Sequence, residues 1–126
     1  MKSRCLLAAL TSMALTAATG ETLATEKLKL SVTPNVSSAP GNVIVRTQVA
    51  KDRGNRWLLI EADSGSFYRS SAVELDGDHA PLVTEFRLNN LPSGEYTVAA
   101  VLRSSAGEEI TVRRTLLVLG RSGEPR

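Results

Sequence analysis

Leu91-Pro92-Ser93-Gly94-Glu95-Tyr96, running on into Thr97-Val98-Ala99-Ala100-Val101-Leu102, constrains this chain more than any other stretch. Pro92 fixes its own φ and has no N–H to give to a ladder, so a strand arriving here must stop. Gly94 takes a positive φ without steric cost, which suits a turn. Beyond the turn, Tyr96, Val98, Ala100 and Leu102 alternate with Thr97, Ala99, Val101 and Arg103. A period of two belongs to a strand, and apolar residues on both phases mark a central one.

The remaining runs repeat that period. Lys27 to Val32 alternates strictly, with Leu28, Leu30 and Val32 on one face and outward lysines that guard an edge strand. Pro34 ends it, and Ser37 to Asn42 is a loop rich in breakers. Asn42 to Ala50 alternates again, with Val43, Val45, Thr47 and Val49 on one phase. Trp57-Leu58-Leu59-Ile60 is continuously apolar and is expected as a strand buried on both sides. Phe67 to Leu75 is interrupted by Arg69-Ser70-Ser71 and is expected as a bent or bulged edge strand. Leu82 to Leu88 alternates, and Glu109 to Leu119 forms a last strand whose phase changes at Arg113-Arg114, which predicts a second bulge. About seven strands, roughly ten residues apart with Gly, Pro, Asn and Asp turns between them, predict an all-β antiparallel sandwich. It spans 27–119, and 126 residues leave room for one domain only.

The first 20 or so residues resemble a secretory signal peptide: Lys2 and Arg4, an apolar run from Cys5 to Ala18, then small residues before cleavage at Gly20 or Ala24. That run is shorter than the roughly 20 residues of a spanning helix, so no stable membrane insertion is expected once it is removed. A short flexible leader (21–26) and a disordered polar tail (120–126) flank the sandwich. The protein is therefore expected to be secreted or periplasmic. Lys2 and Arg4 are two of the 15 basic residues, and without them 13 remain to balance 13 acidic ones. A neutral domain has no electrostatic footprint for nucleic acid. Cys5 is the only cysteine, which leaves the sandwich without disulfides, thiol catalysis or cysteine-based zinc sites.

Few residues invite chemistry. Glu74, Asp76, Asp78 and His79 are spaced as calcium ligands could be, but an Asp-Gly turn explains them without an ion, and a single histidine cannot build a His-based metal site. No G-x-S-x-G elbow accompanies the serines. No metal, cofactor or catalytic residue is assigned, and an enzyme is not expected. Phe67 and Tyr68 are adjacent on one strand and so point to opposite faces; with Arg69 and Arg46 they are the candidate partner-binding patch, since Tyr and Arg are enriched in interface cores. Asn35-Val36-Ser37 fits a glycosylation acceptor if the source is eukaryotic.

Around the Pro92–Gly94 bend the chain resembles immunoglobulin-like domains, and fibronectin type III modules in particular. Leu91-Pro92-Ser93-Gly94-Glu95-Tyr96-Thr97-Val98 is similar to their E–F connection, and Gly107 resembles the glycine of the F–G loop. The resemblance implies that Tyr96 forms a tyrosine corner, that Trp57 is the core tryptophan of strand C, and that Val45 and Val98 stand where immunoglobulin domains carry cysteines. The role it implies is an exported, non-enzymatic module that binds an extracytoplasmic protein or gives structural support in an assembly. The alternative is a carbohydrate-binding accessory module, which would need an exposed aromatic platform from Trp57, Tyr68 or Tyr96.

Overall fold

The computed structural model describes residues 27–120. The expected signal-peptide helix, the leader and the tail beyond Gly120 lie outside them. Eight strands run in chain order as β1 (Leu28–Thr33), β2 (Val36–Ser38), β3 (Gly41–Val49), β4 (Asn55–Asp63), β5 (Tyr68–Glu74), β6 (Val83–Leu91), β7 (Gly94–Ser104) and β8 (Glu109–Leu119). One 3-10 turn, Gly77–His79, lies between β5 and β6, and no α-helix occurs among the described residues. The strands form a three-stranded sheet, β1-β3-β6, and a five-stranded sheet, β2-β8-β7-β4-β5.

Every pairing is antiparallel except β2 with β8, where Val36 lies beside Leu117 in parallel register. This strand takes Ser37 and Ser38 out of the loop expected over Ser37 to Asn42, β3 takes Gly41 and Asn42, and only Ala39 and Pro40 stay between strands. Three residues between Pro34 and Pro40 are too few to show a period, and it is the ladder with β8 that makes them a strand. Both prolines follow cis peptide bonds.

The alternating residues meet between the sheets. Leu28, Leu30, Val43, Val45, Phe86 and Leu88 face Leu58, Ile60, Ala62, Tyr96, Val98, Ala100, Leu102, Leu116 and Val118 across one core. Two buried polar side chains among the described residues are both paired, as burial requires: Thr47 Oγ1 donates to the Thr84 carbonyl at 3.0 Å, and Asn55 Nδ2 to the Ala50 carbonyl at 3.0 Å.

Neither expected bulge is present. The β4–β5 and β7–β8 ladders keep continuous register, including Val98 opposite Arg114. β5 is an edge strand but a regular one. Arg114 keeps the inward phase and is nevertheless exposed; the opposing sheet is two strands narrower, and a long cationic side chain serves where that sheet ends. The register breaks elsewhere, between Gly41 and Val43 on β3 and between Asn55 and Trp57 on β4. At the first of these Asn90 takes φ 61°, a left-handed conformation that asparagine tolerates better than most residues.

Candidate functional site

The Pro92–Gly94 bend places Tyr96 at the head of β7, its ring fully buried and its hydroxyl donating to the Pro92 carbonyl at 2.7 Å. Burial pushes the phenol above its ordinary range, with Ser64 and Arg69 pulling partly against it. Gly94 passes so close to Ser64 that a Cβ there would lie 3.2 Å from the serine Cβ. These residues build the frame.

Trp57 does not belong to that frame. Its side chain is 41% exposed on the outer face of the five-stranded sheet, while Leu58, Ile60 and Ala62 hold the inward phase. The continuous apolar run misled because the described residues cover only one face of this sheet, so Trp57 and Leu59 form an apolar outer surface among them.

The four residues of the candidate partner-binding patch do not converge. Phe67 packs edge-on against Tyr96, with ring centroids 6.3 Å apart at 80°. The Arg69 guanidinium lies 5.3 Å from the centre of the Phe67 ring, and its Nη1 donates to the Asn89 carbonyl at 2.6 Å, tying edge strand β5 to the other sheet. Tyr68 points outward on the larger sheet, where its hydroxyl donates to Glu61 Oε2 at 2.6 Å, and that bond raises its phenol pKa. Arg46 stands on the opposite outer face, 3.5 Å from Glu85. Alternation on β5 and the separation of the two sheets divide the four among three environments.

Glu74, Asp76, Asp78 and His79 fall on the end of β5 and the following 3-10 turn, where His79 Nδ1 lies 3.3 Å from Asp78 Oδ1. Among the described residues, no group of three or more His, Cys, Asp or Glu side chains could hold a metal ion.

A concavity of about 290 Å³ lies where β1 begins, β3 ends and β6 begins, lined by Lys29, Gln48, Val49, Ala50, Lys51 and Leu82. Its walls are fixed by backbone bonds: the Val49 amide donates to the Leu82 carbonyl at 2.8 Å, and the Ala50 amide to that of Lys27 at 2.9 Å. Val49 is buried beneath it, and Leu82 is exposed at its rim. Three ion pairs occur among the described residues, Arg46–Glu85, Asp78–His79 and Arg103–Glu109. None involves Lys29 or Lys51, and neighbouring Asp52 is turned away to accept from the Gly54 amide at 2.7 Å. The sequence offered little sign of this site, because its residues come from three separate stretches that only the β1-β3-β6 order brings together.

No family model matches the chain, and no curated protein sequence matches it. Solved structures share the architecture. Superoxide reductase (neelaredoxin) from Ignicoccus hospitalis superposes with a TM-score of 0.59 at 18% identity, covering 73% of this chain and 80% of that one. The sporulation control protein Spo0M of Bacillus subtilis gives 0.51 at 12% identity over 75% of this chain and 49% of its own. The PmoD soluble domain of a Methylocystis species gives 0.50 at 13%, over 72% and 90%.

At these identities the likeness is one of fold. It is enough to correct the role inferred from sequence, an exported non-enzymatic immunoglobulin-like module for protein interaction or structural support. The same sandwich carries superoxide reductases, so its shape does not lead to that role. The carbohydrate-binding alternative goes too: Tyr96 is buried, and Trp57 and Tyr68 stand at opposite ends of the β4–β5 ladder, about 20 Å apart.

Proposed function

We propose that this chain is a non-catalytic receptor for a small anion with a short apolar group, such as a carboxylic acid or an alkyl phosphate, held in the concavity between β1, β3 and β6. The observation that carries the reading is a concavity lined by Lys29 and Lys51 together with the exposed Ala50 and Leu82, with no carboxylate paired to either lysine among the described residues. A lysine ammonium is a compact point charge that suits an anionic head without demanding fork geometry. The apolar wall would take the tail, and the exposed mouth would keep exchange fast. Among the described residues the lining holds no His, Cys, Asp or Glu, so the two lysines are read as binding groups. We place this receptor outside the cytoplasm on the strength of its signal-like amino-terminal sequence. Its frame we take as immunoglobulin-like, supported by the bond from Tyr96 to Pro92 and by the division of β1 and β2 between the two sheets.

Thermal unfolding in hexyl phosphate, inorganic phosphate and hexyltrimethylammonium tests the reading. Hexyl phosphate should raise the midpoint most, inorganic phosphate less and the cation not at all. The rise should shrink with added salt and vanish in Lys29→Gln/Lys51→Gln. An unchanged midpoint in millimolar hexyl phosphate, or a shift that survives both substitutions, would overturn it.

A further inference from the structure

Basic and acidic residues nearly balance over the chain, 15 against 13, but the fold does not spread them evenly. On the three-stranded sheet, Lys29 of β1 stands beside Gln48, Arg46 of β3 beside Glu85, and Arg87 of β6 beside Ile44. Each cation lies one row further along than the last. The three therefore form a diagonal, one per strand, with steps of about 8 Å at the usual strand spacing and rise. All three are exposed, and Glu85 is the one acidic residue on the outward phase of these strands. Its pair with Arg46, 3.5 Å apart and open to solvent, holds the guanidinium only weakly. Lys27 and Lys51 extend the positive field at the end where Leu82 and Val83 are exposed, while Asp52 is engaged with the Gly54 amide. The outward phase of the other sheet carries the opposite sign: Glu61, Asp63, Glu74, Glu95 and Glu109 against Arg103 and Arg113. Outside 27–120 the chain has Lys2, Arg4, Arg121 and Arg126 against Glu21, Glu26 and Glu124, which is no surplus of acid to cancel the basic face.

We infer that the outer face of β1, β3 and β6 docks on the surface of an anionic phospholipid bilayer. Each lysine or arginine close to such a surface raises affinity by a factor of about five. The acidic face opposite is repelled, so the domain approaches with its basic side leading. A sheet face makes a one-sided contact, which suits a plane surface. Leu82 and Val83, flanked by Lys29 and Lys51, are the mixture of apolar and cationic side chains that a headgroup boundary accepts. A nucleic acid fits less well, because the outward phase of these strands offers no aromatic ring for a base to stack on. On the reading given above, the concavity at this end would receive one lipid headgroup. The docking does not require it, since Arg46 and Arg87 lie outside its lining.

Co-sedimentation of the full chain with phosphatidylcholine vesicles, with and without phosphatidylserine, tests this. Binding should rise with phosphatidylserine, and the rise should disappear toward about 1 M salt, where screening is nearly complete. Arg46→Gln/Arg87→Gln should cut the phosphatidylserine-dependent binding by about tenfold or more, with unchanged circular dichroism and an unchanged midpoint shift in hexyl phosphate. Arg103→Gln/Arg113→Gln, on the opposite face, should not reduce it. Vesicle binding that persists where hexyl phosphate gives no shift upholds the docking face and strikes the concavity reading alone. Binding that does not rise with phosphatidylserine would overturn the inference, as would a rise that survives Arg46→Gln/Arg87→Gln. So would a chain that takes up duplex DNA or an acidic polypeptide and leaves the phosphatidylserine vesicles unbound.

Discussion

The Tyr96 hydroxyl donates to the Pro92 carbonyl across the bend that separates β6 from β7, while the tyrosine ring is wholly buried. The bond closes the bend by giving the Pro92 carbonyl a side-chain donor.

Tyr96→Phe keeps the ring and removes the donor. The Pro92 carbonyl is then left to find water at the sandwich edge, and a loss of about 0.5–1.5 kcal/mol is expected. Urea unfolding measures it: a lower midpoint with unchanged slope is the predicted result, and an unchanged midpoint would show that the bond contributes nothing.

The same phenol gives the fold an alkaline limit. Its folded-state pKa lies above the ordinary value near 10, chiefly through burial. The buried ring therefore favours the neutral form more strongly than the unfolded chain does. That contribution is complete below the unfolded pKa and is lost as pH rises through the folded one. As pH rises past the ordinary tyrosine value of about 10, wild-type stability should fall more steeply than that of Tyr96→Phe. Parallel curves would mean that the loss comes from other groups.

Trp57 is the sole tryptophan, so fluorescence reports its surroundings directly. Acrylamide should quench it readily in the native monomer, and Trp57→Thr should change monomer stability by no more than about 0.5 kcal/mol. A shielded, blue-shifted emission in a sample shown to be monomeric would return the residue to the core.

The bend and the strands around it were legible because Pro92, Gly94 and the alternation from Tyr96 to Leu102 are local signals. Position across the sandwich was not. Trp57-Leu58-Leu59-Ile60 reads the same whether its outer phase is covered by another layer or open, and only the arrangement of the described residues in two layers decides. β2 was missed because Val36-Ser37-Ser38 becomes a strand through β8, some eighty residues away. The anion concavity was hidden for a related reason: Lys29 read as an edge guard and Lys51 as part of a polar connection until β3 paired with both β1 and β6.

Gly77 offers a sharper test of the turn before β6. Its φ is 55°, and a Cβ added there would lie 2.8 Å from the Arg53 carbonyl oxygen, a backbone atom that cannot swing aside. Gly77→Ala combines left-handed strain with a clash, for an expected cost of about 1–3 kcal/mol. Calorimetry should show the drop. A variant that unfolds at the wild-type temperature would mean that the turn shifts freely.

Arg69 is expected to matter for cohesion between the sheets at their β5 edge. β5 has a ladder on one side only, and Arg69 reaches from it to the Asn89 carbonyl on β6 while covering the Phe67 ring. Arg69→Ala removes a charge-assisted hydrogen bond and a cation–π contact, both partly exposed, so a loss of about 1–2 kcal/mol is expected. Arg69→Lys should recover part of it, because an ammonium can still sit over the ring but reaches the carbonyl less well. Hydrogen exchange locates the effect. Amides of β5 should open faster in Arg69→Ala while those of β3 and β7 keep their protection, since the lost contacts are local to one edge. If protection falls evenly across both sheets, Arg69 acts on the whole fold and the picture of a local clasp is wrong.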